Sequence, residues 1–157
     1  MIKSRKKRIG IFGGSFDPPH QGHLEISKLA IEKLHLNQIY WCITKKNPLK
    51  KKSFFSLSDR IKKSKDITNK INKIKIKFFE DKVKSINSID LIKYLIRKNT
   101  KIIFFFIIGS DNLIKFHKWK NWKLLTELTK IVVFSRKDYD KKAKKSVTMK
   151  QVKKITF

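Results

Sequence analysis

"IGIFGGSFDPPHQGHLEISKLAIEKL", residues 9–34, decides the fold. An apolar run ends in Gly13-Gly14. A Ser and an Asp-Pro-Pro turn follow, and then His20 and His23 flank Gln21-Gly22 at the start of an amphipathic stretch. A short strand is handing over, through a Gly/Pro turn, to a helix with Ile26, Leu29, Ala30 and Leu34 on one face. Paired glycines after a strand permit a sharp turn and close approach of a ligand to the backbone. The N–H groups of such a turn and of the helix start attract anions, and two imidazoles add directional donors. The stretch reads as a phosphate cradle. It lacks the Gly-Lys-Ser/Thr ending of a P-loop and the G-x-G-x-x-G spacing of a dinucleotide site. Two histidines three apart are a weak metal signal, so no protein-held metal is expected.

Working outward, the same alternation repeats. "RIGIF" (8–12), "QIYWCIT" (38–44), "IKIKFFE" (74–80), "KIIFFFIIG" (101–109) and "KIVVFSR" (130–136) read as strands. Residues 24–34, 56–71, 88–98 and 110–128 read as helices, with Ser56 or Ser58 and Ser88 as candidate caps. The expectation is an α/β fold: a five-stranded, mostly parallel sheet with helices on both faces and right-handed crossovers. The wholly apolar "KIIFFFIIG" predicts a central strand covered on both sides. Ligands of such sheets bind beyond the carboxyl ends of the strands, near the point where strand order reverses. Three of those ends carry Gly13-Gly14-Ser15, Gly109-Ser110-Asp111 and Ser135-Arg136. Residues 1–157 read as a single domain, with a core over 8–136 and a Lys-rich tail over 137–157 whose one apolar patch is "ITF".

At 157 residues and 40% hydrophobic content, one packed core is expected. No uncharged apolar run reaches the ~18 residues of a membrane span, and the basic N-terminus leads into a strand rather than a signal peptide. The single Cys42 lies in an apolar run, which predicts a buried thiol in a reducing, cytoplasmic setting. The net charge of +28 admits two readings. One is a polyanion or RNA partner. The other is compositional drift onto a solvated lysine surface. Only five of the 40 basic residues are Arg, the residue that fixed phosphate and base contacts favour. Weak nonspecific polyanion binding is expected under either reading.

"GSFDPPHQGH" (14–23) resembles the H-x-G-H signature of the nucleotidyltransferase superfamily. "TKKNPLK" (44–50) looks like the loop after that superfamily's second strand. "FIIGSDNLIKFHKWKNW" (106–122) looks like its Gly-x-Asp-x-Leu segment with the following tryptophans, and "IVVFSR" (131–136) like its fifth strand. Together these stretches resemble the bacterial nicotinate-nucleotide adenylyltransferases, over residues 9 to 136. The resemblance implies a Rossmann-like nucleotidyltransferase fold. It also implies transfer of the adenylyl group of ATP, with Mg²⁺, to nicotinate mononucleotide, giving deamido-NAD and pyrophosphate in NAD biosynthesis. By the same resemblance His20 and His23 contact the ATP phosphates, with His23 nearest the reacting one. Gly14, Ser15 and Phe16 offer backbone contacts, Gly109 and Asp111 hold ribose, and Arg136 helps the adenine or phosphate side. On the acceptor side, Asn47 and Lys50 meet phosphate, Trp119 stacks on the pyridine ring and Ser88 lies near the carboxylate. Other members of the superfamily use another phosphate acceptor.

The family's Ser-x-Thr-x-x-Arg segment, which grips the triphosphate, has no match. "SVTMKQVKK" has Ser146 and Thr148 two apart but no Arg. The sequence therefore predicts weak ATP binding, slow turnover and a poorly covered sheet edge beyond "KIVVFSR". It leaves open a non-catalytic polyanion-binding derivative.

Overall fold

The computed structural model describes residues 5–45, 52–135, 138–151 and 155–156. The chain runs β1 (Lys7–Gly14), α1 (Gln21–Lys33), β2 (Gln38–Ile43), α2 (Leu57–Thr68), β3 (Ile74–Lys77), α3 (Glu80–Val83), α4 (Ser88–Lys98) and β4 (Ile102–Gly109). It continues through α5 (Ser110–Lys115), a 3-10 turn (Phe116–Lys118), α6 (Trp122–Leu128), β5 (Lys130–Phe134), α7 (Asp140–Lys144), α8 (Val147–Gln151) and β6 (Ile155–Thr156). The strands form one sheet in the order β3-β2-β1-β4-β5-β6, and every pairing is parallel. Order reverses between β1 and β4, so the switch point lies at the carboxyl end of β1, inside the quoted stretch.

Alternation along the strands feeds two apolar layers. Ile9 and Ile11 of β1, with Phe104, Phe106 and Ile108 of β4, pack beneath α4, α5 and α6. Phe12, Ile39, Trp41, Phe105 and Ile107 pack beneath α1 and α2. A Cβ on Gly10 would stand 2.9 Å from the Cδ1 atoms of both Leu36 and Ile107, so the glycine makes room for the second layer. Burial pushes the Cys42 thiol up to about 12, as a buried, unreactive cysteine requires. No helix among the described residues is long and apolar enough to cross a membrane.

Three expectations are corrected. The sheet has six strands, not five: "ITF" supplies β6, which pairs with β5 through Ile131–Ile155 and Val132–Thr156 and covers part of that edge. The buried stripe of α1 is Leu24, Ser27 and Ala30, while Leu29 is 40% exposed. Ser27 replaces it because its hydroxyl is satisfied inside, accepting from Trp41 Nε1 (2.7 Å) and donating to the His23 carbonyl (2.8 Å). Ser88 is the first residue of α4 rather than its cap; Asn87 takes the cap position. Ser146 and Thr148 are both buried. The Ser146 hydroxyl accepts the Met149 N–H in the first turn of α8, so they serve helix packing.

Candidate active site

At the carboxyl end of β1 the chain turns through six residues before α1 begins. Phe16 has φ 49, and its ring is buried beneath the turn. It stacks on Trp41 (centroids 4.7 Å apart, 17° between planes) and meets the His23 ring at 4.7 Å. His23 thus rests on a fixed aromatic floor.

His20 occupies the N-cap of α1 in extended backbone. Its Nδ1 accepts the Gly22 N–H at 3.1 Å, and the His23 Nδ1 accepts the His20 N–H at 3.1 Å. The two imidazoles therefore play the parts that Ser and Glu take in an ordinary capping box. A Cβ on Gly22 would lie 2.9 Å from the His20 ring, so the glycine admits this arrangement. The rings lie 3.9 Å apart. Because each Nδ1 is an acceptor, each ring carries its proton on Nε2. The pair presents N–H donors rather than metal-seeking lone pairs, which suits an anion.

Two side chains unforeseen in the sequence hold this turn. The Asp17 carboxylate accepts the N–H groups of Phe54 (2.6 Å) and Phe55 (2.8 Å). Arg60 of α2, 1% exposed, donates to the carbonyls of Ser15 (2.8 Å), Thr44 (2.6 Å), Lys45 (2.9 Å) and Phe55 (3.1 Å). One signal pointed to Arg60: a chain that uses Lys for nearly all its positive charge keeps Arg where a rigid fork is needed.

A cavity of about 50 Å³ opens beside the turn, walled by Gly13, Thr44, Phe79, Glu80, Asn87 and Ser88. Ser88 is therefore brought to the carboxyl end of β1. Glu80 accepts the Lys45 N–H through Oε2 at 3.0 Å, while its Oε1 is buried with no hydrogen-bond partner among the described residues. Burial pushes the Glu80 carboxyl up, against the pull of the Lys45 N–H and the nearby Arg60 charge. On the next element, a hydrogen bond from the Ser85 hydroxyl (2.7 Å) holds the Asp90 carboxyl below its usual range, and Lys120 stands 3.7 Å away.

The second strand of the switch point ends in Gly109, level with Gly14: the two lie equally far past the Phe12–Ile107 pair. Here the helix starts at once, with Ser110 fully buried and Asp111 partly exposed in its first turn. Trp119 follows the 3-10 turn, half-buried, its ring 4.9 Å from Phe116 and edge-on to Phe106 at 6.1 Å. One of its faces belongs to the core, whatever the other one meets. Asn47, Lys50 and Arg136 lie outside the described residues.

The cytidylyltransferase-like family matches residues 11–155. The probable nicotinate-nucleotide adenylyltransferase of Pelagibacter ubique is 50% identical over 153 residues, which is 98% of this chain and 84% of the relative. That of Ruegeria sp. is 34% identical over 128 residues, 82% of this chain and 67% of the relative. Among solved structures, the Plasmodium falciparum nicotinic acid mononucleotide adenylyltransferase complexed with NaAD superimposes with a TM-score of 0.74 at 22% identity. The match covers 90% of this chain and 72% of that one, a likeness of fold.

Proposed function

Since the chain belongs to the cytidylyltransferase-like family and within it to the nicotinate-nucleotide adenylyltransferases, we propose that the turn after β1 is where its adenylyl transfer takes place. The reaction joins ATP and nicotinate mononucleotide into deamido-NAD and releases pyrophosphate. An oxygen of the acceptor phosphate attacks the α-phosphorus of ATP in line. The bond from that phosphorus to the bridging oxygen breaks, and the electron pair leaves with pyrophosphate. The attacking phosphate is already anionic, so no general base is needed. The chain's task is to align two anions and to stabilise the charge that builds between them.

The observation that carries this reading is the paired capping by His20 and His23. With both Nδ1 atoms accepting backbone N–H groups, both Nε2–H groups are donors in fixed orientations. Fixed donors stabilise developing charge without reorganising, and here they stand at a helix start that already favours anions. In this proposal His20 and His23 hold the phosphates, and Gly14, Ser15 and Phe16 supply backbone contacts. Gly109 and Asp111 hold nucleotide ribose. Ser88 and the open face of Trp119 receive the pyridine end, and Asn47, Lys50 and Arg136 complete the phosphate contacts. Mg²⁺ would enter as part of the Mg-ATP substrate, where it would offset the triphosphate charge.

The test is pyrophosphate release from Mg-ATP with a panel of acceptors: nicotinate mononucleotide, nicotinamide mononucleotide and phosphopantetheine. The first should turn over fastest. Faster release with either of the others would move the chain to another acceptor class. No release with any of them would favour the non-catalytic reading.

A further inference from the structure

We propose that Asp17 and Arg60 are positioning residues that together latch the phosphate turn to the start of α2, and so set the histidine donors for transfer. The inference rests on the adenylyl-transfer reading given above. Its physical basis is that two side chains cross between the same two segments in opposite directions.

From the turn, the Asp17 carboxylate reaches to the N–H groups of Phe54 and Phe55 at 2.6 and 2.8 Å. From α2, the Arg60 guanidinium reaches back to the Ser15 carbonyl at 2.8 Å while its Nε holds the Phe55 carbonyl at 3.1 Å. Phe55 is thereby held at its N–H by one residue and at its carbonyl by the other. The turn is held at Ser15 and at Asp17, on either side of the left-handed Phe16. The remaining donors of Arg60 take the Thr44 and Lys45 carbonyls just past β2. One buried guanidinium so ties together the carboxyl ends of two neighbouring strands and the entry to a helix.

Arg60 is 1% exposed, and its four acceptors are neutral carbonyls. A buried charge whose direct hydrogen-bond partners are all dipoles, with the Glu80 carboxylate only nearby, is a poor device for stability alone. It is a good device for geometry, because four bonds at one planar fork leave the turn little freedom. A lysine could offer three donors from one nitrogen and could not span four carbonyls. Displacing a reacting phosphate by about 1 Å costs on the order of 100-fold in rate, so fixing the turn matters to turnover.

The experiment compares Asp17→Asn, Arg60→Lys and the double variant with the parent in kcat and KM per folded molecule. Hydrogen exchange is measured in parallel without substrates. Each single variant should lose at least about tenfold in kcat, with KM for nicotinate mononucleotide within about threefold. The double variant should fall little below the worse single one, since both act through one turn. Amide exchange should quicken at Ser15, Phe16, Asp17, His20, Phe54 and Phe55 and stay unchanged in β4 and β5. Asp17→Asn keeps its shape and one acceptor, so it carries the test if Arg60→Lys fails to fold. A kcat within about twofold of the parent, losses that multiply, or unchanged exchange in the turn would each overturn the latch. A parent that makes no deamido-NAD, while exchange still opens in the variants, would sink the functional reading and leave the latch standing.

Discussion

Two neighbouring strands, β1 and β4, both end in glycine at the same level of the sheet, yet they hand over to helices in different ways. After Gly14 the chain spends six residues, 15–20, before α1. After Gly109 it spends none, and Ser110 is already helical. The long turn has few contacts of its own to define it, so its shape comes from far away in sequence, through Asp17, Arg60 and the Phe16–Trp41 stack. The direct hand-over is fixed locally, by a buried Ser110 and a packed Leu113. A reacting group must be aimed, and aiming needs anchors from several directions. In the proposed reading the end of β4 only receives a sugar or a ring, a task for which a stable edge suffices.

The comparison predicts that changes at the first turn act on kcat and changes at the second on KM. The largest effect is expected for His23→Ala: a kcat loss of about 100- to 1,000-fold, as for other lost transition-state donors. Steady-state rates at saturating substrates check it, with circular dichroism to show the fold intact. Gly22→Ala comes next. Its Cβ would meet the His20 ring at 2.9 Å and force it off the cap, so kcat should fall by at least about tenfold with KM little changed. Equal losses in kcat for a variant at the second turn would erase the distinction.

Trp119→Ala should raise KM for nicotinate mononucleotide by roughly fivefold to tenfold, from an aromatic stack worth about 1 kcal/mol, and leave KM for ATP nearly unchanged. It should also lower Tm, because the ring packs on Phe106 and Phe116. A fall in Tm alone, with both KM values intact, would make Trp119 purely structural.

The smallest effects concern stability against pH, and they differ in sign between the two regions. Hydrogen bonding from Ser85 depresses the Asp90 carboxyl, so its contribution is fully present above the unfolded carboxylate range and is lost as pH falls from there through the lower folded value. Asp90→Asn should therefore lower Tm slightly at pH 7, and the loss should shrink as pH falls below the ordinary carboxylate range. Burial raises Glu80, so ionising it opposes folding at neutral pH, and the cost lifts once acid protonates it. Glu80→Gln should gain Tm relative to the parent at pH 7, and the gain should shrink as pH falls. Thermal melts across that range check both.

Much of this was legible in the sequence, for identifiable reasons. Strand alternation and the apolar "KIIFFFIIG" placed the sheet, and the Gly-Gly and His-Gln-Gly-His spacings placed the turn at its carboxyl edge, because both signals are local. Ser27 was misjudged because a buried hydroxyl partnered by Trp41 carries no mark in the helical pattern. Asp17 and Arg60 were missed because their partners are all backbone groups, as far as 37 to 45 residues away at the turn, which no periodic pattern reveals. Strand β6 was missed because its two residues pair without a periodic stretch around them.

The most direct test of the histidine turn is a single-turnover measurement. Excess chain is mixed with Mg-ATP labelled in its α-phosphate, nicotinate mononucleotide is added, and label is followed into deamido-NAD for the parent and for His23→Ala. The account predicts that label passes to deamido-NAD in step with pyrophosphate release, and at least about 100-fold more slowly in the variant once ATP is saturating. Label appearing in deamido-NAD at more than about a third of the parent rate in His23→Ala would contradict it, and would place the reacting phosphate elsewhere.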